Sequence, residues 1–479
     1  MSDASGTGRR RGEARAAEER EHPESKPARQ GSLQQVAGQA RIRMGREAHK
    51  KRPVTRVCTG LMRSLIPLLL LACSTAAFSQ TKWFKGNTHT HTLWSDGDDF
   101  PEMVIDWYKA KGYDFIALSD HNILQAKEVW MDVKAVEKRR KTLGKSTMDK
   151  YRERFGADWV ITREKDGSTE VRLRQLAEYG PKFNEPGKFL IVKAEEISAS
   201  FQKAPIHMNT VNIQEEIQPV KDHVSIQETM RANLRLAAAQ SQKLGVPMFT
   251  HINHPNFRWA LTADDLAAVT EENFFEIYNG HPMIYYEGDA QRDGHEKIWD
   301  IANTLRLTKY NAAPLYGVGT DDSHDYHGEE SSPGRGWVMV RADKLDANTL
   351  VEAMKAGDFY ASSGVTLEDV SFTGGKLVIR VKAEPGVTYS TQIRGTRRGF
   401  DASTKEETMP KGDAHPTRLR YSADIGATLA TLDGTTIEWT PKGDELYFRA
   451  VVTSSKPHPN PSYKSQTEMA WTQPMGWKK

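Results

Sequence analysis

Residues 85–122 read KGNTHTHTLWSDGDDFPEMVIDWYKAKGYDFIALSDHN. The stretch parses as strand, loop, helix and strand. Lys85–Thr92 is strand-like and closes on polar residues. Pro101–Lys111 carries Met103, Val104, Trp107 and Tyr108 at helical spacing, with Pro101 in the first turn, where a missing N–H costs nothing. Gly112 stops the helix. Tyr113–Leu118 (YDFIAL) is a buried-strand run, and it too ends in polar residues, Ser119-Asp120-His121-Asn122. The pattern continues outward, with strands at Phe189–Ala194, Ile206–Ile213, Pro247–Thr250, Phe274–Tyr278 and Leu315–Val318. Helical patterns fall at about 126–142, Ser225–Leu244 and Glu296–Leu305. Repeated strand–helix units predict an α/β fold on a parallel sheet, open or closed into a barrel.

Two segments depart from this rhythm. Residues 145–187 read as an insertion with a hairpin over Trp159–Leu173, turning at Asp166-Gly167. From Leu367 the helical spacing disappears. Val378–Val381, Thr388–Ile393, Ile437–Trp439 and Leu446–Thr453 are short strands between Gly, Pro and Asp turns, which predicts a small all-β sandwich over 366–479. Trp439, Trp471 and Trp477 in that segment are expected in core or terminus packing rather than on a sugar-binding platform.

The 479 residues include 66 Lys/Arg and 63 Asp/Glu, a formal charge of +3. Residues 1–57 hold 14 basic and 7 acidic side chains, which leaves 52 basic and 56 acidic in the rest. The body is therefore mildly acidic, and charge indicates no nucleic-acid partner. Residues 1–61 are polar and Arg-rich, a disordered basic extension or an over-extended start with Met44 or Met62 as the true one. Over 62–79, Met62-Arg63-Ser64 precedes the apolar Leu65–Ala72 and small residues that include Ala77 and Ser79, the pattern of a signal peptide. A secreted or periplasmic protein is expected. The alternative treats Leu70-Leu71-Ala72-Cys73 as a lipobox, although Leu71 is an unusual residue there. The run is too short for a transmembrane helix. The two cysteines, Cys58 and Cys73, both lie in this leader, so neither a disulfide framework nor a thiolate zinc finger is available. Oligomeric state has no signal in the sequence.

Eleven of the 15 histidines lie between residues 89 and 327, and they sit at strand ends. His89 and His91 end the first strand, His121 the second, and Glu195-Glu196 the next. His207 lies in the following strand, His251 and His254 end another, and Asp322 and His324 end the last. One His-x-His or His-Pro is commonly structural. Six strand ends carrying such groups together point to metal ligation, because chemistry gathers at strand carboxyl ends and imidazole with carboxylate suits zinc, manganese or iron.

In order, these motifs are His-x-His with Ser-Asp-Gly, Ser-Asp-His-Asn, Glu-Ile-Ser, His, Asn-His-Pro and Thr-Asp-Asp-Ser-His. The ordered set resembles the PHP (polymerase and histidinol phosphatase) superfamily of metal-dependent hydrolases over about residues 83–365, including Phe359-Tyr360-Ala361-Ser362-Ser363-Gly364. The resemblance implies a distorted seven-stranded β/α barrel over 80–365 and two or three divalent ions. By motif, His89, His91, Glu196 and Asp322 match the ligands of one ion. Glu196 would bridge to a second ion held by His207 and His254, and Asp96, His121 and His324 match the third set. Glu195 and His251 are the alternatives to Glu196 and His254. Asp120, Asp321 and His251 are expected to orient ligand imidazoles.

The expected chemistry is hydrolysis by a metal-bound hydroxide, with a phosphoester preferred. His281 and His327 are candidates for protonating the leaving group, and Arg258 and Arg335 for meeting an anionic small-molecule ester. A carbamate or aryl ester hydrolase on the same metals is the alternative, as is a metal-containing surface or glycan-binding protein without catalysis. No Gly-rich phosphate loop and no G-x-S-x-G elbow occurs, which disfavours nucleotide-loop and serine-hydrolase chemistry.

Overall fold

The opening stretch folds as β1 (Lys82–Asn87), α1 (Pro101–Ala110) and β2 (Phe115–Leu118). β1 and β2 pair in parallel through Gly86–Phe115 and Asn87–Ile116. The computed structural model describes residues 81–140, 144–328 and 330–478, and these belong to one compact unit. The leader over 62–79 and the extension before it lie outside the described residues.

Next come β3 (Val129–Asp132), α2 (Val133–Arg139), α3 (Thr147–Phe155), β4 (Thr162–Lys165), β5 (Ser168–Leu173) and α4 (Leu176–Phe183). β3, β5 and β4 form a small antiparallel sheet of their own. Asp166 and Gly167 turn the β4–β5 hairpin with positive φ of 50° and 77°. Among the described residues, the charged helix expected over about 126–142 is shortened to α2, Val133–Arg139. Val129, Trp130 and Met131 favour a strand and pair with β5, and Asp132 then caps a short helix by accepting from the Lys134 and Ala135 amides.

The main fold continues with β6 (Leu190–Phe201), β7 (Ala204–Val211), α5 (Ile226–Leu244), β8 (Phe249–Ile252), α6 (Ala263–Ala268), β9 (Phe274–Asn279) and α7 (His295–Thr308). It ends with β10 (Tyr316–Thr320), β11 (Trp337–Ala342), α8 (Ala347–Ala356) and β12 (Phe359–Ser362). The strand order is β10-β9-β8-β7-β6-β2-β1-β11-β12. The pairs β1–β2, β2–β6, β8–β9 and β9–β10 are parallel. β6–β7 and β7–β8 are antiparallel, against the all-parallel expectation. Only Gln202 and Lys203 separate β6 from β7, too few for a crossover helix, so the chain makes a hairpin instead.

One apolar cluster draws Phe84, Ala117, Val192, Val211, Phe249, Phe274 and Val318 from seven different strands, with Leu350, Val351 and Met354 of α8 beneath. Past the strand ends, Thr90 pairs in parallel with Ser323. His91 N–H donates to Ser323 O, and Asp322 N–H to His89 O, each at 3.0 Å. The segments after β1 and β10 therefore touch, although those strands stand six places apart in the ladder.

The C-terminal residues supply β13 (Leu367–Thr373), β14 (Lys376–Val381), β15 (Tyr389–Arg397), β16 (Thr404–Thr408), β17 (Thr417–Tyr421), β18 (Ala427–Asp433), β19 (Thr436–Trp439), β20 (Glu445–Pro457) and β21 (Thr467–Thr472). β13-β14-β19 is a separate sheet, whereas β21-β20-β15-β18 continues the main sheet beyond β12. Leu377, Ile379 and Ile437 pack against Ile393, Phe448 and Val452 between these layers. Trp471 is fully buried, stacks on Tyr278 and donates its indole N–H to Glu296 Oε1 at 2.6 Å.

Candidate metal centre

The residues just past β1, β2, β8 and β10, together with the middles of β6 and β7, converge on one cluster. His89, His91 and Asp322 form a near-equilateral triangle. His89 Nε2 lies 3.1 Å from His91 Nε2, and Asp322 Oδ1 lies 3.2 Å from each. The edge of a tetrahedron of ligands about 2.0–2.1 Å from a zinc ion is about 3.3 Å, so this spacing suits donors that share a cation.

Glu196 stands beside the triangle with both oxygens in use. Oε2 lies 3.6 Å from His89 Nε2, 3.3 Å from His91 Nε2 and 2.8 Å from His121 Nδ1. Oε1 lies 3.1 Å from His207 Nδ1 and 3.6 Å from His254 Nε2. At the rim, Asp96 Oδ2 is 3.5 Å from His121 Nε2, and Oδ1 is 3.4 Å from His324 Nε2. Three overlapping groups of donors can each hold an ion: His91 with Asp96, His121 and His324; His89 with His91 and Asp322; and His121 with Glu196 and His207. His254 reaches the last group through Glu196.

Local backbone and burial serve this convergence. Glu195 and Glu196 alternate across β6, so Glu195 turns away and accepts the Ile217 N–H at 2.9 Å. Asp322 and His254 hold φ of 48° and 22°, left-handed values that cost a non-glycine residue of order 1–3 kcal/mol and that cluster at functional sites. Burial alone would raise the Glu196 and Asp322 carboxyls. The surrounding imidazoles, His121 foremost at Glu196 and His89 at Asp322, pull both well below the usual carboxylate range. Burial likewise opposes charge on His89, yet Asp322, Glu276 and Glu196 hold its pKa well above the ordinary value. Glu196 Oε2 is buried without a well-aligned hydrogen bond among the described residues. Ionised carboxylates, imidazoles at cation-sharing distances and one orphaned inward oxygen fit divalent cations with nitrogen and oxygen ligands.

Glu276 is the main functional residue that sequence reasoning missed. It lies inside β9, fully buried, and its Oε1 is 2.6 Å from His89 Nδ1. Thr320 Oγ1, the His254 N–H and Asn279 Nδ2 each donate to its carboxylate at 2.8 Å. Burial would raise its pKa, but His89 and its neighbours bring it down to about 2. An ionised Glu276 fixes the His89 tautomer and leaves Nε2 facing the cluster. Its signal was a lone charge within the apolar run Phe274-Phe275-Glu276-Ile277-Tyr278. Asn253 was also missed, and its Nδ2 donates to Glu196 Oε1 at 2.8 Å. Glu276→Gln is expected to lower metal affinity or kcat/KM roughly 10- to 100-fold. Metal content and turnover unchanged from wild type would count against the orienting role.

Of the three residues expected to orient imidazoles, none bonds a ligand imidazole directly among the described residues, and Asp120 reaches one through Ser95, whose Oγ lies 3.3 Å from His91 Nδ1. Asp120 accepts from the Thr92 N–H, Thr92 Oγ1, Ser95 Oγ and Gln125 Nε2, which fixes the loop leading to Asp96. Asp321 takes the Tyr108 hydroxyl and the Gly334, Arg335 and Gly336 amides. His251 meets Thr88 Oγ1 at 3.2 Å and lies 3.8 Å from Glu276.

Of the four proposed mouth residues, His281 stands at the cluster's edge. The His281 ring packs edge-on against His324, 5.5 Å between centroids. Its Nδ1 accepts the Met283 N–H at 3.2 Å, which places the ring proton on Nε2, and burial lowers its pKa to about 4. Arg258 is exposed and lies 5.5 Å over the Phe257 ring, itself 5.1 Å from the His254 ring. Arg335 donates to Gly280 O and Asn460 Oδ1, bracing one loop on another. His327 sits with Lys150, Asp98 and Asp99, where α3 meets the loop after β1.

No family model matches the chain, and no curated protein matches it. Solved structures do resemble it. One is a two-domain protein containing a predicted PHP-like metal-dependent phosphoesterase from Bacteroides vulgatus, at 14% identity and TM-score 0.35, covering 82% of this chain and 96% of that one. A second, described as a metal-dependent phosphoesterase from Bifidobacterium adolescentis, has 12% identity and TM-score 0.27, covering 57% and 94%. A third is an amidohydrolase from Chromobacterium violaceum with bound sulfate and no metal, at 13% identity and TM-score 0.25, covering 50% and 88%.

Proposed function

We propose that the chain is a PHP-type metal-dependent hydrolase that cleaves phosphoesters at a two- or three-metal site held by His89, His91, Asp96, His121, Glu196, His207, His254, Asp322 and His324. The observation that carries this reading is Glu196, one buried carboxylate whose two oxygens face different histidines, as a ligand bridging two cations requires. The same reading closes the first seven strands of the main sheet into a barrel. The Thr90–Ser323 bridge and the seven-strand apolar cluster below the site support that closure.

Divalent zinc, manganese or iron held there would supply Lewis acidity and lower the pKa of water toward neutrality. The chain's own residues supply the rest. Glu276 and Asn253 fix His89 and Glu196 before substrate arrives, so little reorganisation is needed in the reaction. His281, neutral with its proton on Nε2, donates a hydrogen bond to a substrate oxygen. Arg258, over the Phe257 ring, is the candidate to meet the phosphate. Phe257 shields His254 and His207 from water.

On the sequence of residues 62–79 we propose export to the periplasm or beyond. Among the described residues no helix is long and apolar enough to cross a membrane.

The test is turnover by the purified protein, loaded in turn with zinc, manganese and iron, of phosphomonoesters, phosphodiesters and aryl carbamates. Phosphoester hydrolysis that needs metal and disappears in His89→Ala/His91→Ala is expected. Cleavage of carbamates alone would move the assignment to that class. Bound metal without turnover of any ester would favour a binding protein.

A further inference from the structure

Beside the cluster lies an aromatic ledge that neither the metal site nor the fold requires. Tyr285 is 52% exposed and Met283 49% exposed. The Tyr285 ring stacks on Trp259 at 4.9 Å and 14°, and the Arg292 guanidinium lies 4.5 Å from the Trp259 ring centroid. Trp259 thus backs Tyr285 and leaves the outer side of the tyrosine open. Asn256 ties the two segments by donating to Tyr285 O at 3.1 Å and Asp293 O at 3.0 Å. Arg258, Trp259 and Tyr285 all take left-handed backbone, with φ of 50°, 55° and 51°. None is a glycine, so the fold maintains strain to present these side chains.

The ledge is continuous with the site at both ends. Phe257, next to Arg258, packs on the ring of His254, and Met283 donates its N–H to His281. A substituent on an anionic centre held at the cluster could follow either connection toward Tyr285.

We infer that Tyr285, backed by Trp259, is a specificity-determining residue that stacks on the aryl leaving group of an ester substrate. The inference rests on the hydrolytic reading of the same site and names its substrate class, aryl phosphoesters. Pre-stacked rings are suited to this, because a held tyrosine loses little freedom when a second planar group arrives.

Two unreactive probes, phenylphosphonate and ethylphosphonate, separate binding from turnover. Calorimetry on the metal-loaded full chain is expected to show phenylphosphonate bound roughly three- to tenfold more tightly, the range of an aromatic pair. Tyr285→Ala should remove most of that preference, and Tyr285→Phe should keep it. In parallel, the ratio of kcat/KM for phenyl phosphate over ethyl phosphate should fall by a similar factor in Tyr285→Ala alone. No preference in the wild type, a preference that survives Tyr285→Ala, or no binding of either phosphonate overturns the inference. Turnover without the preference overturns the ledge alone. Preference without turnover of any ester overturns the hydrolytic reading and the leaving-group role with it, and leaves Tyr285 as an aryl-binding contact.

Discussion

Glu196→Gln is expected to lower phosphoester hydrolysis by more than about 100-fold and to remove at least one ion per chain. The estimate starts from the 10- to 100-fold cost of losing a group that merely orients a ligand, which loss of a shared ligand must exceed. The amide keeps the shape but presents only one acceptor, and its NH₂ meets either the His121 side or the His207 side of the cluster. The neighbouring position supplies the control. Glu195 faces away, and burial raises its pKa to about 8, so at pH 7 it is already a neutral acid. Glu195→Gln replaces one neutral group by another and should leave metal content and kcat unchanged. Metal analysis and steady-state rates on the two variants check both statements. Equal losses in the pair, or none in Glu196→Gln, would remove the bridging role.

That contrast shows how the site was legible in the sequence. Alternation along a strand allows only one of two adjacent glutamates to face inward, and the polar residues that interrupt buried runs at 89–91, 121, 254 and 322–324 mark where strands end. Glu276 was hidden because it lies within a run rather than at its end, and its partner His89 is 187 residues away. Arg335 and His327 follow a ligand-bearing strand in the sequence. Their partners, Asn460 and Lys150, come from segments whose approach no local pattern encodes. The antiparallel β6–β7 pair escaped for a different reason. The apolar run there matches a parallel strand, and only the short connection distinguishes the two. Tyr285 and Trp259 carry no periodic signal, since a stack between two loops depends on left-handed turns at residues that ordinarily avoid them.

The β-rich segment over 366–479 reads as a separate body in sequence, and a buried charge network joins it to α7. Arg449 on β20 is fully buried and donates to both oxygens of Asp300 on α7, at 2.8 and 2.7 Å. Glu296 Oε2 lies 2.5 Å from the same guanidinium, the Tyr447 hydroxyl donates to Asp300 at 2.9 Å, and the Trp299 ring lies 4.4 Å from it. Burial opposes the Arg449 charge, but Asp300 and Glu296 raise its pKa above the usual arginine value. Asp300→Asn should therefore destabilise the protein by about 3 kcal/mol, the lower end of the cost of stranding one member of a buried pair, because Glu296 still faces the guanidinium. Removing all three charges tests the cause. Asp300→Asn/Glu296→Gln/Arg449→Met should regain at least half of the loss, since buried charges replaced by neutral groups of similar volume are often near neutral in stability. Denaturant midpoints of the three proteins decide the matter. If the triple variant is no more stable than Asp300→Asn, the loss comes from packing around α7 rather than from an uncompensated charge, and the helix is held to β20 by shape alone.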